Sequence, residues 1–202
     1  MGNLPHWYQP GATYFITFRT ADSLPKEVAD WWHRRGNDWL LRNGINPQSA
    51  HWQAGLRRLP DRLQHEFHAT FSREFLEHLD KGHGACVLRQ CEMADIVANS
   101  LRHFDGERYL MGDFVVMPNH VHLLVGLLGE TDVEKQCYSW RKFTATRINH
   151  ERKQTGEFWQ TESFDHLVRS PEQFERFQRD IAENGREAGL GDGEYLHWRR
   201  PK

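Results

Sequence analysis

The sequence predicts an α+β domain in which helices pack on one mostly antiparallel sheet. Two strand patterns, at residues 107–117 and 120–128, are separated only by a Pro-Asn turn, which is the arrangement of an antiparallel hairpin. Helical patterns precede and follow this hairpin, and that order does not fit repeated parallel crossovers. We therefore expect an antiparallel sheet with packed helices, related to the ferredoxin-like fold.

The first half of the chain predicts one clear strand followed by helices. Residues 12–20 (ATYFITFRT) alternate β-branched and aromatic side chains, which is typical of a strand. Residues from about 25 to 60 have helical periodicity broken by prolines, so we expect a helical insertion there. Residues 61–79 repeat an apolar side chain every four positions, which predicts a helix with one buried stripe. The segment ACVLRQ at 85–90 is a candidate for a short strand.

The second half predicts three further helices around the hairpin. Residues 92–104 form an amphipathic pattern that stops at the Asp105-Gly106 turn. Residues 131–149 follow an N-cap signal in Thr131-Asp132. The last helix opens at Ser170-Pro171-Glu172 and runs to about residue 183, with Phe174, Phe177 and Ile181 on its inner face.

Length and composition favour one domain over residues 1–202. The chain has 202 residues, of which 38% are hydrophobic and 27% charged, values typical of a globular protein. No apolar run is long enough to cross a membrane, so we expect no membrane partner. The first residues lack the basic and apolar regions of an export signal, and three cysteines without a CxxC pair suit a reducing compartment. The expected location is the cytoplasm.

The net charge of the chain does not indicate a nucleic-acid ligand, although basic residues cluster locally. The formal net charge is −2, whereas many nucleic-acid-binding proteins are basic overall. Arginine and lysine nevertheless occur together at several places, including Arg141-Lys142 with Arg147. Since salt screens charges beyond about 8–10 Å, such a cluster can bind phosphate even on an acidic protein. A solvated helix face is the competing interpretation.

The segment VVMPNHVHLLVGL at 115–127 places two histidines where a buried strand begins. Side chains two apart in a strand point to the same face, so His120 and His122 project together. Two neighbouring imidazoles are suited to share a divalent metal ion. With 13 histidines in the chain, roughly one such pair is expected by chance. The context, directly after a turn, is what favours a metal site.

This segment resembles the HUH signature (histidine, hydrophobic residue, histidine) of single-tyrosine DNA transposases, and most of all the REP-associated tyrosine transposases. The resemblance extends over about residues 12–195, because further stretches resemble family segments in the family's order. These stretches are ATYFITFRTADSLP, LRHFDGERY, SWRKFTATRIN, FWQTESFDHLVRS and QRDIAENGREAGLGDGEY.

The resemblance implies a metal-dependent enzyme acting on single-stranded DNA. The family folds as an antiparallel α+β domain in which the two histidines hold Mg²⁺ or Mn²⁺. A tyrosine on the last helix attacks the phosphodiester, leaving a 5′-phosphotyrosine and a free 3′-hydroxyl, and an asparagine four residues later is the third metal ligand. By this resemblance the ligands here are His120, His122 and Asn184. The family's DNA is a hairpin flanked by a short single strand.

The last helix departs from the family at the nucleophile. The position of the tyrosine is Asp180, and the family's proline after the asparagine is Gly185. Three interpretations remain open: a protein that binds metal and hairpin DNA without cleaving it, a different nucleophile such as Tyr138, or hydrolysis with Asp180 as a further metal ligand. A solvated helix residue at 180 is the structural alternative. The family contains both monomers and dimers, and we expect a monomer.

Four side chains outside the metal site are candidates for DNA contacts. Arg141, Lys142 and Arg147 lie on the helix after the signature strand, where they are suited to contact phosphates. Trp159 is a candidate for stacking on a base, although core packing is the more common role for tryptophan.

Overall fold

The computed structural model describes residues 11–49, 51–67, 70–71, 78–79, 81–160 and 164–201. The strands are β1 (Thr13–Arg19), β2 (Tyr109–Val116), β3 (His120–Leu127), β4 (Phe164–Leu167) and β5 (Leu196–Trp198). The helices are α1 (Lys26–Arg42), α2 (Trp52–Arg57), α3 (Asp61–Phe67), α4 (Cys91–Arg102), α5 (Val133–Glu151) and α6 (Pro171–Glu187), with a 3₁₀ turn at Val87–Arg89.

The five strands form one sheet in the order β4-β1-β3-β2-β5, and all four neighbouring pairs are antiparallel. When the inserted helices α1–α3 and the 3₁₀ turn are set aside, the elements from β1 to β4 have the β-α-β-β-α-β succession of ferredoxin-like folds. The predicted α+β fold class is therefore confirmed, with β5 as an added edge strand.

Helices cover both faces of the sheet and divide the core into two clusters. One face packs against α4 and α5, and its cluster includes Val121, Leu123, Val97 and Trp140. The other face packs against α6, and its cluster consists of Phe15, Val115, Met117, Leu124, Phe177 and Ile181. The alternating side chains of β3 supply both clusters, which explains why this strand is apolar almost throughout.

The N-caps of α5 and α6 lie where the sequence predicts them. The Asp132 carboxylate accepts a hydrogen bond from the Lys135 backbone N–H at 2.9 Å. The Ser170 hydroxyl accepts one from the Gln173 N–H at 3.2 Å, and Pro171 occupies the first helical turn.

The strand predicted at residues 85–90 is wrong. The segment contains the 3₁₀ turn Val87–Arg89, which follows Cys86 in a left-handed backbone conformation with φ of 48°. The Leu88 N–H donates to the Pro118 carbonyl in the β2–β3 turn, so this backbone group bonds to the turn and not to a neighbouring strand. The sequence patterns did not predict the edge strands β4 and β5.

The segment before this turn carries its own small core. α1 and α2 occupy the region predicted as a helical insertion, and Leu40, Ile45 and Leu56 form a separate buried cluster there. In the stripe predicted for residues 61–79, Phe67 and Phe71 are in contact and Leu79 is fully buried, while Phe75 lies outside the described residues. In the part of the chain that the structure describes, no helix has the length and hydrophobicity to cross a membrane.

Candidate metal centre

The β2–β3 hairpin delivers both histidines to the face of the sheet that α6 covers. His120 and His122 alternate with Val121, whose side chain belongs to the opposite cluster. The two imidazole centroids are 4.6 Å apart with the rings steeply inclined to each other. Their exposed fractions are only 0% and 3%. The strand period of two therefore brings both rings into one buried place.

Asn119 fixes the tautomer of His120. The Asn119 amide nitrogen donates to the backbone carbonyls of Leu79 and His83, at 3.2 and 3.0 Å. These bonds orient the amide so that its oxygen faces His120 Nδ1, at 2.8 Å. Because that oxygen can only accept, Nδ1 carries the proton and Nε2 keeps a lone pair. An imidazole held in this way is prepared to be a metal ligand through Nε2.

His122 is held by a neighbouring strand. Thr17 lies opposite His122 in the β1–β3 ladder, and its hydroxyl is 2.7 Å from His122 Nδ1. The Phe15 ring stacks on the His122 ring at 5.4 Å, and Phe177 of α6 stacks on Phe15 at 4.3 Å. The imidazole is thus fixed by one hydrogen bond and by a column of aromatic rings that reaches α6.

Asn184 is the residue of α6 that reaches the histidines. Phe177, Ile181 and Asn184 recur at helical spacing and are buried against the sheet, Asn184 being 8% exposed. The Asn184 side chain lies close enough to the His120 imidazole to influence its protonation. Asn184, which lies 62 positions after His122 in the chain, therefore comes together with the two histidines on one side of the sheet.

Burial keeps both imidazoles neutral. It lowers the pKa of His120 well below the ordinary value, the neighbouring His122 lowers it further, and the nearby Asn184 side chain partly opposes this. Burial also lowers the pKa of His122 to about 3. Neutral imidazoles do not need to release a proton before binding a metal. Two such rings and a carboxamide are donors that fit a divalent cation.

Asp180 lies beside this group rather than in it. Its side chain is on the exposed flank of α6, although Phe177, Ile181 and Asn184 around it are buried. Partial desolvation raises the pKa of the carboxyl, against the opposing effect of Arg176. Among the described residues, no three His, Cys, Asp or Glu side chains are gathered closely enough to share a metal ion.

Gly185 and Tyr195 are neighbours that the sequence patterns did not connect. A Cβ atom at Gly185 would lie 2.3–2.5 Å from the hydroxyl-bearing end of the Tyr195 ring, a distance that no side chain tolerates. Tyr195 is half-buried and packs on the cluster that includes Phe15 and Phe177. The glycine next to Asn184 is thus explained by the close approach of this ring. A single sequence gives no signal for such a contact.

The remaining candidates lie on the other side of the sheet. Tyr138 is on α5, whose buried residues pack on the face opposite the histidines, so the structure does not bring it to them. Trp159 is 5% exposed and its indole N–H donates to the Thr144 hydroxyl at 2.8 Å. Of the two roles named for Trp159, this is the core-packing role and not the base-stacking one, because the surrounding side chains already cover the ring.

The three cations on α5 differ in their surroundings. The Arg141 guanidinium is half-buried and donates to the Gln160 carbonyl at 2.7 Å, an internal contact that occupies it. Lys142 and Arg147 are exposed. Arg147 lies 3.7 Å from Glu151, one helical turn away. Lys142 and Arg147 are therefore the two candidates that can reach a ligand in solvent.

Comparison with solved structures shows the fold. The REP-associated tyrosine transposase bound to a REP hairpin is similar with a TM-score of 0.50 and 14% identity, over 95% of this chain and 76% of that chain. A provisional transposase from Deinococcus radiodurans R1 matches over 90% of this chain and 96% of that chain, with a TM-score of 0.30 and 14% identity. Neither a protein-family model nor a curated protein matches the sequence.

Proposed function

We propose that the protein is an HUH-transposase-like protein that binds single-stranded DNA next to a hairpin and holds Mg²⁺ or Mn²⁺ with His120, His122 and Asn184. One observation carries the proposal: Asn184 of α6 meets the histidine pair of β3 in one buried group. The sequence resemblance supports the same ligand set, and the transposase of similar fold was solved with a REP hairpin.

The residues around the proposed metal ion are arranged for binding rather than for acid–base work. Asn119 binds Nδ1 of His120, which leaves the lone pair on Nε2 at the other side of the ring, and Thr17 binds Nδ1 of His122. A divalent cation bound here would neutralise negative charge on phosphate oxygens. Both imidazoles are neutral and buried, so they neither donate nor accept a proton during a reaction near neutral pH.

The residue at the expected nucleophile position argues for binding without strand transfer. A tyrosine attacking DNA exchanges one phosphodiester for another, so the reaction can run backwards with little loss of free energy. An aspartate at that position would instead form an acyl phosphate, which water destroys. Asp180 is also exposed on the flank of α6 rather than gathered with the histidines. We therefore propose a protein that binds hairpin DNA but does not form a covalent intermediate.

The test uses a labelled hairpin oligonucleotide with a single-stranded flank, incubated with Mn²⁺. The wild-type protein should retard the oligonucleotide in a native gel, but a denaturing gel should show neither a protein adduct nor a cut strand. Asp180→Tyr should yield an adduct, because the longer tyrosine side chain extends from the flank of α6 and restores a phenol one helical turn from Asn184. Adding His122→Gln to Asp180→Tyr should abolish the adduct while the protein remains folded.

Matched variants identify the attacking group. Asp180→Phe supplies the ring without the hydroxyl and should give no adduct. Tyr195→Phe, placed in the Asp180→Tyr protein, should leave the adduct unchanged, since Tyr195 is the other tyrosine beside α6. Cleavage by the wild-type protein would refute our account of position 180. Absence of hairpin binding by the wild-type protein would refute the proposed function.

A further inference from the structure

The exposed side of α5 carries a hollow lined by aromatic and basic side chains. The hollow has a volume of about 420 Å³ and is lined by Tyr138, Ser139, Lys142, Phe143, Thr146 and Arg147. Tyr138 is 59% exposed and Phe143 is 54% exposed, which is unusual for large rings on a helix whose other side is fully buried. We refer to these six residues as the α5 hollow.

The α5 hollow repeats one motif twice along the helix. Lys142 follows Tyr138 by four residues, and Arg147 follows Phe143 by four residues, so each cation lies one turn from a ring. The Lys142 ammonium group is 5.6 Å from the centre of the Tyr138 ring. None of the six lining residues carries a carboxylate, and the Glu151 carboxylate that pairs with Arg147 lies outside the hollow, so Lys142 supplies most of its positive charge. The hollow therefore combines two exposed ring faces with a local positive charge on a chain whose net charge is −2.

We infer that the α5 hollow binds an unpaired stretch of nucleic acid, with bases stacked on Tyr138 and Phe143 and phosphates beside Lys142 and Arg147. This inference goes beyond the proposed function, because it adds a second contact for a single strand, away from the two histidines. Exposed rings interleaved with cations are the surface that proteins use to bind single strands without strong sequence preference. A base pair within a duplex keeps its faces stacked, so duplex DNA cannot use the rings in this way.

A second copy of the chain is a poorer occupant of the α5 hollow. In a symmetric dimer the same surface meets itself, so Lys142 and Arg147 of one copy would approach the same cations of the other. Like charges brought together at an interface are unfavourable, and the one carboxylate described beside the hollow, that of Glu151, is already paired with Arg147 of its own chain. The phosphates of a nucleic-acid strand supply the opposite charge instead.

The α5 hollow is separate from the candidate metal centre. The buried side of α5, including Trp140 and Ile148, packs on the face of the sheet opposite the histidines. A strand bound in the hollow therefore contacts a different side of the protein from DNA bound at His120 and His122. Consequently, binding in the hollow should not require a divalent cation.

The experiment measures fluorescence anisotropy of two labelled oligonucleotides: a hairpin with a thymidine flank and the same hairpin with a blunt end. Each is titrated with protein at several salt concentrations, in the presence of Mn²⁺ or of a chelator. Tyr138→Ala and Phe143→Ala should each weaken binding of the flanked hairpin about tenfold, in both conditions. Binding of the blunt hairpin should change much less, since no unpaired base is present to stack.

The cation variants give a second readout. Lys142→Gln should reduce the slope of log affinity against log salt by about 0.7, the value for one phosphate contact on a single strand. Tyr138→Ala should leave that slope unchanged. The matched control is Lys135→Gln, which removes an exposed cation from the first turn of the same helix but outside the hollow. Because these side chains are exposed, the variants should melt as the wild type does.

Unchanged affinity of Tyr138→Ala and Phe143→Ala for the flanked hairpin would overturn the inference. A fall in sedimentation mass with unchanged DNA affinity would also overturn it and would identify the hollow as a dimer interface. Two other outcomes would refute the proposed function without bearing on the hollow. One is that the wild-type protein binds the hairpin no better than an unstructured strand, and the other is that His122→Gln leaves Mn²⁺-dependent binding intact. Loss of flank binding in Tyr138→Ala would support the inference in either of those cases.

Discussion

Lowering the pH from 7.5 to 5.5 should destabilise the fold through its two buried imidazoles. Burial lowers the pKa of His122 to about 3 and that of His120 well below the ordinary value, whereas a histidine in the unfolded chain titrates at about 6.5. As the pH falls, protons therefore bind the unfolded chain first. The stabilisation is complete above about pH 6.5 and is lost progressively as the pH falls towards about 3.

The magnitude follows from this difference in proton binding. Over an interval of two pH units centred on about 6.5, each imidazole that stays neutral in the folded protein lowers the free energy of unfolding by about 1.4 kcal/mol. The pair together should lower it by about 3 kcal/mol, a large part of the stability of an ordinary domain. The effect requires that both rings remain buried and neutral, as they are beneath α6.

Urea unfolding followed by tryptophan fluorescence, in a chelating buffer, measures this loss at both pH values. His122→Gln removes one of the two imidazoles. The fall in the free energy of unfolding that the buried imidazoles cause between pH 7.5 and 5.5 should therefore be about half as large in this variant as in the wild type. Other titrating groups affect both proteins equally, so the difference between the two proteins isolates the buried ring. His150→Gln, which removes an exposed imidazole from α5, is the control for replacing a histidine. Identical pH dependence in the wild type and in His122→Gln would refute the argument.

Two further substitutions test the surroundings of the candidate metal centre. Gly185→Ala places a Cβ about 2.3 Å from the Tyr195 ring and should lower the free energy of unfolding by about 1–3 kcal/mol in thermal melts. Combining it with Tyr195→Ala should remove most of this added cost, and strict additivity of the two changes would contradict the proposed clash. Asn119→Ala leaves the Leu79 and His83 carbonyls without their donor and His120 Nδ1 without its acceptor. It should weaken Mn²⁺ binding about 10- to 100-fold in calorimetric titrations, and unchanged binding would show that Asn119 does not orient the ligand.

The main elements of the fold were predictable because each has a strong local pattern. The alternation in β1, the apolar hairpin strands and the capped helices α5 and α6 all appear in the sequence near their observed positions. The edge strands β4 and β5 are only four and three residues long, so they contain too few positions to show a period. The false strand at 85–90 has an apolar pair, Val87 and Leu88, which is buried in a 3₁₀ turn instead.

The candidate site was predictable only where it depends on local geometry. The strand period places His120 and His122 on one face, where the structure has them, whereas Asn184 follows only from the family resemblance and not from the helical period. The groups that hold the histidines could not be predicted in this way. Thr17 is 105 residues away from His122, and the carbonyls that orient Asn119 belong to Leu79 and His83, 40 and 36 residues earlier. Such contacts depend on the tertiary fold and leave no periodic signal.

The wide separation of these partners along the chain has a consequence for biosynthesis. His122 follows Thr17 by 105 residues, and Asn184 follows His122 by a further 62. A nascent chain therefore carries both imidazoles long before α6 has left the ribosome to shield them. Any ion captured early would be held by incomplete ligands and exchanged readily. Secure retention of a cation would thus report that translation of α6 has been completed.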